Sequence, residues 1–144
     1  MPKRIIRNII AGRPLHTLGG NTSVLAAAKK MADENIGAML VVDGENLLGV
    51  FTERDALCRV LAKGLNPETT RVSEVMTSRP LTISADKALS HALLIMHDNG
   101  FRHMPVVDGG KLAGIVSVRD ALGQEMSELV SNIAQRDALS EKMG

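Results

Sequence analysis

Ala38-Met39-Leu40-Val41-Val42-Asp43-Gly44 is answered 65 residues later by His103-Met104-Pro105-Val106-Val107-Asp108-Gly109. Extending outward, residues 24–57 align without a gap to 89–122, and 14 of the 34 positions are identical, among them Met31/Met96, Gly49/Gly114 and Arg54-Asp55-Ala56-Leu57/Arg119-Asp120-Ala121-Leu122. A repeat of this size dictates the architecture before any motif is weighed. Upstream, Arg13-Pro14-Leu15 matches Arg79-Pro80-Leu81 after a one-residue slip, so two copies account for nearly the whole chain.

Each copy reads as helix, strand, turn, strand, helix. Val24, Ala27, Ala28 and Met31 keep helical spacing, and the Val-rich run 38–42 suits a buried strand. Asp43-Gly44-Glu45-Asn46 is a turn signal before a second strand over 47–51. The second copy repeats this with Leu89, Ala92, Leu93 and Met96, a strand over 104–107, the turn Asp108-Gly109-Gly110-Lys111, and a return strand over 112–116. A helix from about Arg54 stops near Gly64, before the linker Asn66-Pro67-Glu68-Thr69-Thr70. Leu122, Met126, Leu129, Val130 and Ile133 extend the last helix into a C-terminal helical tail over 127–144 with an apolar face to cover. The expected fold is α/β (α+β), two units over 8–65 and 72–126 packed on a shared core with pseudo-twofold symmetry.

Composition removes several function classes. Two Phe and no Trp or Tyr leave no base-stacking platform, and a formal charge of +1 lacks the excess that nucleic-acid coats exploit. Apolar runs, at 24–28 and 38–42 among others, reach no more than five residues, far short of the ~20 residues of a spanning helix, and no signal-peptide core follows the basic start. With the single Cys58, these features point to a cytoplasmic protein. His16, His91, His97 and His103 show no metal-ligand spacing, and Cys58 on its helix reads as a small apolar filler. No phosphate loop, nucleophile elbow or nucleophile–base pair is present, which argues against an enzyme, a nicotinamide-dependent one included. Met1 to Ala11 alternates Lys3, Arg4 and Arg7 with four isoleucines and is expected to pack on the body as a lead-in.

Both copies carry Gly, two apolar residues, a hydroxyl, two variable positions and Asp: Gly49-Val50-Phe51-Thr52-Glu53-Arg54-Asp55 and Gly114-Ile115-Val116-Ser117-Val118-Arg119-Asp120. A hydroxyl three residues before an acid at a strand-to-helix junction approaches a capping box. The same geometry offers unpaired N–H groups and a hydroxyl to a phosphate, a carboxylate to neighbouring ribose hydroxyls, and Arg54 or Arg119 to an anion. Spacing leaves both open.

The order and duplication of these elements resemble a tandem pair of cystathionine-beta-synthase (CBS) domains over about residues 8–126. The resemblance implies a stand-alone Bateman module, a regulatory pair that binds AMP, ADP, ATP, NAD(H) or S-adenosylmethionine in clefts between the copies. It also implies signalling to an unidentified protein partner, without turnover and without a metal, in a homodimer built on helix faces. By the same resemblance Asp55 and Asp120 hold ribose hydroxyls while Thr52 and Ser117 face phosphate. Gly37-Ala38-Met39 and Arg102-His103-Met104-Pro105 line the base or phosphate end, as do Thr82-Ile83 and the counterpart His16-Thr17. Where the copies diverge, Glu53 opposes a phosphate and Arg102 and His103 attract one. Two unequal sites are therefore expected, the tighter one organised by Ser117, Arg119, Asp120, Arg102 and His103. The rival class is a ligand-free scaffold in which both motifs are only caps.

Overall fold

A computed structural model describes residues 4–123 and 131–138. Helix α1 (Ile6–Ile10) and strand β1 (Thr17–Gly19) lead into α2 (Val24–Glu34), β2 (Ala38–Asp43), β3 (Asn46–Thr52) and α3 (Glu53–Asp55), which continues as a π-helical segment, Ala56–Leu61. After α4 (Val72–Val75) and β4 (Thr77–Ser78), the plan recurs as β5 (Ile83–Ser84), α5 (Leu89–Asn99), β6 (His103–Asp108), β7 (Lys111–Ser117) and a 3-10 turn, Val118–Ala121. The duplicated α/β units expected from the repeat are thus present. Residues 131–138 are helical, with Ile133 exposed; Met126, Leu129 and Val130 of the anticipated stripe lie outside the described residues.

Local chemistry explains the repeated elements. The Ser23 hydroxyl accepts the Ala26 N–H at 3.1 Å and opens α2, and Asn35 closes it in the left-handed region, as Gly100 closes α5. Both hairpins turn through two residues. Gly44 takes φ +61°, and Gly109 and Gly110 take +59° and +81°, a twist that tight hairpins require and β-substituted residues resist. A register shift follows Val41 in one hairpin and Val106 in the other, the same repeat position.

One sheet has the order β1-β2-β3-β4 and the other β5-β6-β7. Behind the first lies a core of Val24, Ala27, Met31, Met39, Val41, Phe51 and Val60; behind the second, Leu89, Ala92, Met96, Met104, Val106 and Val116. A third, smaller cluster, Ala38, Leu40 and Val50 with Leu112 and Ile115 against it, joins the halves. The single shared core expected from sequence is therefore three clusters, because each half completes its own interior with a segment of the other. Val72 and Val75 of α4 bury in the first core, and β4 pairs with β3. Reciprocally, Ile6 and Ile10 of α1 bury in the second.

Backbone bonds fasten both crossings. Ile6 N–H donates to the Lys87 carbonyl and Arg7 N–H to that of Ala85, each at 2.9 Å. Arg7 also pairs with Asp86 and, at 2.7 Å, with Asp108. The lead-in thus packs on the body as anticipated. The 66–70 linker is likewise tethered: Thr70 is buried, and its carbonyl accepts the Val24 N–H at 2.8 Å. Among the described residues no helix is long and apolar enough to cross a membrane.

Candidate functional site

The strand-to-helix junctions after β3 and β7 each open on a cleft lined by both copies. The first, of about 410 Å³, combines Thr52, Glu53, Arg54 and Asp55 of copy one with Pro80, Leu81, Phe101, Arg102 and His103. The second, of about 360 Å³, combines Ser117, Arg119 and Asp120 of copy two with Arg13, Pro14, Leu15, His16, Gly37 and Ala38. A central cavity of about 930 Å³ shares walls with both: Glu53, Arg102 and His103 with the first, Gly37, Ser117 and Arg119 with the second. These volumes fall within the span typical of small-molecule sites.

Sheet pairing positions the motifs. Ala38 lies opposite Thr52 and His103 opposite Ser117, which sets each hydroxyl motif beside the start of the neighbouring strand. The following helical turn is drawn to the same place: Glu53 N–H donates to the Gly37 carbonyl at 2.9 Å and Val118 N–H to the Arg102 carbonyl at 3.1 Å.

At each junction one carboxylate oxygen holds the turn. Asp55 Oδ2 accepts the Thr52 N–H at 2.9 Å and the Thr52 hydroxyl at 3.1 Å, and Asp55 N–H donates back to that hydroxyl at 3.2 Å. Asp120 Oδ2 accepts the Ser117 N–H at 2.8 Å. Oδ1 is spared from the turn in both cases. On Asp55 it stands 3.5 Å from Arg59 Nε, and on Asp120 it is bound by Arg13 Nη2 at 2.6 Å. Capping, one of the two readings the sequence left open, thus occupies one oxygen of each side chain and leaves the other outside the turn.

The cations are placed unevenly. Arg54, Arg102 and Arg119 line the cavities, and none of their guanidinium groups makes a hydrogen bond or ion pair among the described residues. Arg102 lines the central cavity with Ser117 and Arg119, the companions expected for it, and also the cleft of Thr52 and Asp55. Its carbonyl stays bonded to Val118 of its own copy while its strand start borders the motif of the other. Glu53 crowds Gly37: a Cβ there would meet its carboxylate oxygens at 3.1–3.2 Å. At the equivalent pair in copy two, Arg102 and Val118, the charge has changed sign and moved to the other partner.

Several expected lining residues turn inward. Met39, Ile83 and Met104 are core side chains and Pro105 is fully buried, so they could meet a ligand only through their backbones; Thr82 is exposed. Leu18 pairs with Val41 and Ile83 with Val106, so Thr17-Leu18, not His16-Thr17, is the counterpart of Thr82-Ile83. The inserted residue is His16, and it lines the second cleft. Cys58, read as an apolar filler, is exposed and lines the first cleft. Sequence reading missed Arg13, Pro14, Pro80 and Leu81 as lining residues, although the recurrence of Arg-Pro-Leu was the available signal.

His103 is mostly buried, and loss of hydration holds its pKa below the ordinary histidine value; Glu53, Asp120 and Asp55 oppose that shift and Arg102 adds to it.

Comparison with known proteins matches the CBS domain family model to residues 6–62 and 72–126. The CBS domain-containing protein CBSCBSPB2 of Arabidopsis thaliana is 33% identical over 139 residues, 96% of this chain and 26% of its own length. The chain therefore spans about a quarter of that relative. A protein with CBS domains from Burkholderia ambifaria MC40-6 superposes with a TM-score of 0.79 at 33% identity, covering 85% of this chain and 94% of that one. CBS domain protein PAE2072 from Pyrobaculum aerophilum, complexed with AMP, shares the fold with a TM-score of 0.73 at 24% identity, over 81% and 88% of the two chains.

Proposed function

Because this chain belongs to the CBS domain family, as a tandem pair, we propose that it is a regulatory sensor whose two clefts bind adenosine-containing ligands. AMP, ADP, ATP, NAD(H) and S-adenosylmethionine are the candidates. One observation carries the reading: each cleft joins a hydroxyl-x-x-Asp turn of one copy to the Pro-Leu loop and strand start of the other, and a guanidinium unpaired among the described residues stands beside it, Arg54 and Arg102 in the first and Arg119 in the second. Such a cleft supplies turn N–H groups, a hydroxyl and a cation for phosphate, and a carboxylate Oδ1 for ribose hydroxyls. The AMP complex of PAE2072 supports the ligand class for a protein of the same fold.

A ligand held by both copies favours one arrangement of the halves by its differential affinity and so alters the helices offered to a partner. No turnover is assigned to the clefts. Exposed Leu57 and Leu61, 58% and 72% accessible, lie one turn apart on the π-helical segment and favour a homodimer that covers them.

Without Trp or Tyr the protein absorbs little near 260 nm, so acid extraction followed by ultraviolet and mass spectra reveals any retained nucleotide. Thermal shift with the candidates extends the test to weaker binders. A site-binding ligand at 100 times its Kd adds about 2.7 kcal/mol, and Asp55→Ala and Asp120→Ala should reduce that gain. The complete Thr52–Asp55 capping box and the Arg13–Asp120 ion pair equally suit a scaffold with empty clefts. A scaffold would respond to none of the ligands.

A further inference from the structure

Among the described residues His103 alone lines both clefts and the central cavity. Its repeat equivalent, Ala38, lines only the second cleft. The pseudo-twofold symmetry is therefore broken where the three cavities meet, by one imidazole set against one methyl group. We propose that His103 is a shared, proton-linked anchor for ligand phosphate: an anionic group in either cleft draws a proton onto this imidazole, so this ring contributes at most one proton however many ligands the module holds. The inference rests on the nucleotide reading above and assigns it a stoichiometry.

The surroundings of the ring set the direction. His103 opens β6 opposite Ser117, beside the second hydroxyl turn. Glu53 approaches from α3 and Asp55 from the same turn; Asp120 approaches from the 3-10 turn, and Arg102 precedes the ring on its own strand. Arg119, Arg13 and His16 share the second cleft with it, and Arg54, Arg59 and Cys58 the first. Burial outweighs the three carboxylates and favours the neutral ring when the clefts are empty. A phosphate close to the ring favours its charged form and so opposes the effect of burial. A proton bound in response to a ligand in the first cleft is then already in place for one in the second.

Isothermal titration of AMP at pH 7, in buffers of different ionisation enthalpy, counts the protons taken up. The phosphate titrates near pH 6 itself, so the imidazole's share is the difference between wild type and His103→Gln, with adenosine as the phosphate-free control. Wild type should exceed the variant by an appreciable fraction of a proton, never more than about one per module at full loading, and adenosine should show no excess. Equal uptake in wild type and variant, or an excess approaching two protons, overturns the anchor. Far-UV circular dichroism and a cooperative melt like that of wild type establish that the variant is folded, with His103→Asn as the second substitution. A wild type that binds no adenosine ligand refutes the nucleotide reading separately. The anchor is then judged by NMR titration of the His103 ring with inorganic pyrophosphate: a raised pKa upholds it, and an unmoved one overturns it.

Discussion

Gly49 and Gly114 occupy the same repeat position, yet alanine should cost very different amounts at the two. Gly49 lies in β3 against β4, and an added Cβ would stand 2.6 Å from both the Thr77 carbonyl oxygen and Met76 Sδ. Methionine can swing aside, but the carbonyl belongs to backbone paired with Val50, so β4 itself must shift. At Gly114 the Cβ meets only Ile10 side-chain atoms at 3.3–3.5 Å, which small adjustments of α1 relieve. Overpacking against backbone costs about 2–3 kcal/mol, whereas the Ile10 contact should cost under about 1 kcal/mol, part of it recovered because alanine suits a strand better than glycine. For a cooperative unit of this size, roughly 3–4 °C of Tm accompanies each kcal/mol, so Gly49→Ala should melt about 6–12 °C lower and Gly114→Ala within about 4 °C of wild type. Circular dichroism melts suit a chain without Trp or Tyr. Equal losses, or a larger loss at Gly114, would refute the claim that the two crossing segments grip their sheets differently.

Glu53→Gln should tighten AMP in the first cleft by roughly 3–10-fold, since solvent in an open cleft screens the carboxylate–phosphate repulsion to about 1 kcal/mol, while adenosine affinity should stay constant in the same titration. Ile6→Ala should destabilise by about 2–4 kcal/mol in urea melts, a large effect so near a chain end, because Ile6 is fully buried in the second core. Arg7 holds the Asp86 carboxyl below its ordinary pKa, so that contribution is present above the unfolded carboxylate pKa and lost as pH falls through the lower folded value; Arg7→Ala should flatten this arm of a pH–stability profile. The lowered His103 pKa acts in the same direction in another window: the unfolded chain binds the extra proton, so ligand-free stability should rise with pH through the range just below and around 6.5, and His103→Gln should remove that slope.

Much of this molecule was legible because duplication repeats its own signals. Asp-Gly after a Val-Val strand fixed both hairpins, and helical spacing from Val24 and Leu89 located α2 and α5. What escaped was the exchange between halves. Nothing in residues 72–78 announces that they finish the first sheet, since a two-residue strand and a one-turn helix carry no usable periodicity. The double placement of Arg102 was hidden as well: it shares one cavity with Ser117 and Arg119 of its own copy and a cleft with Thr52 and Asp55 of the other. The His16 insertion was equally hidden, because only a parallel ladder register shows which residue is the extra one.

The candidate site was ambiguous in sequence for a more general reason. A carboxylate has two oxygens, and the residue spacing that lets one of them close a helix turn is the spacing that leaves the other at the mouth of a cleft. Asp55 and Asp120 both work this way, and they differ in what holds the second oxygen: a loose approach by Arg59 in one, a 2.6 Å bond from Arg13 in the other. A ligand entering the second cleft must therefore share Asp120 with Arg13 or displace it, and one entering the first need not disturb a comparable pair. Arg13 belongs to copy one and Asp120 to copy two, so ligand occupancy there changes a bond that ties the halves together, whereas the Arg59–Asp55 contact stays within copy one. On this geometry the second cleft is the one whose filling can be felt across the whole module.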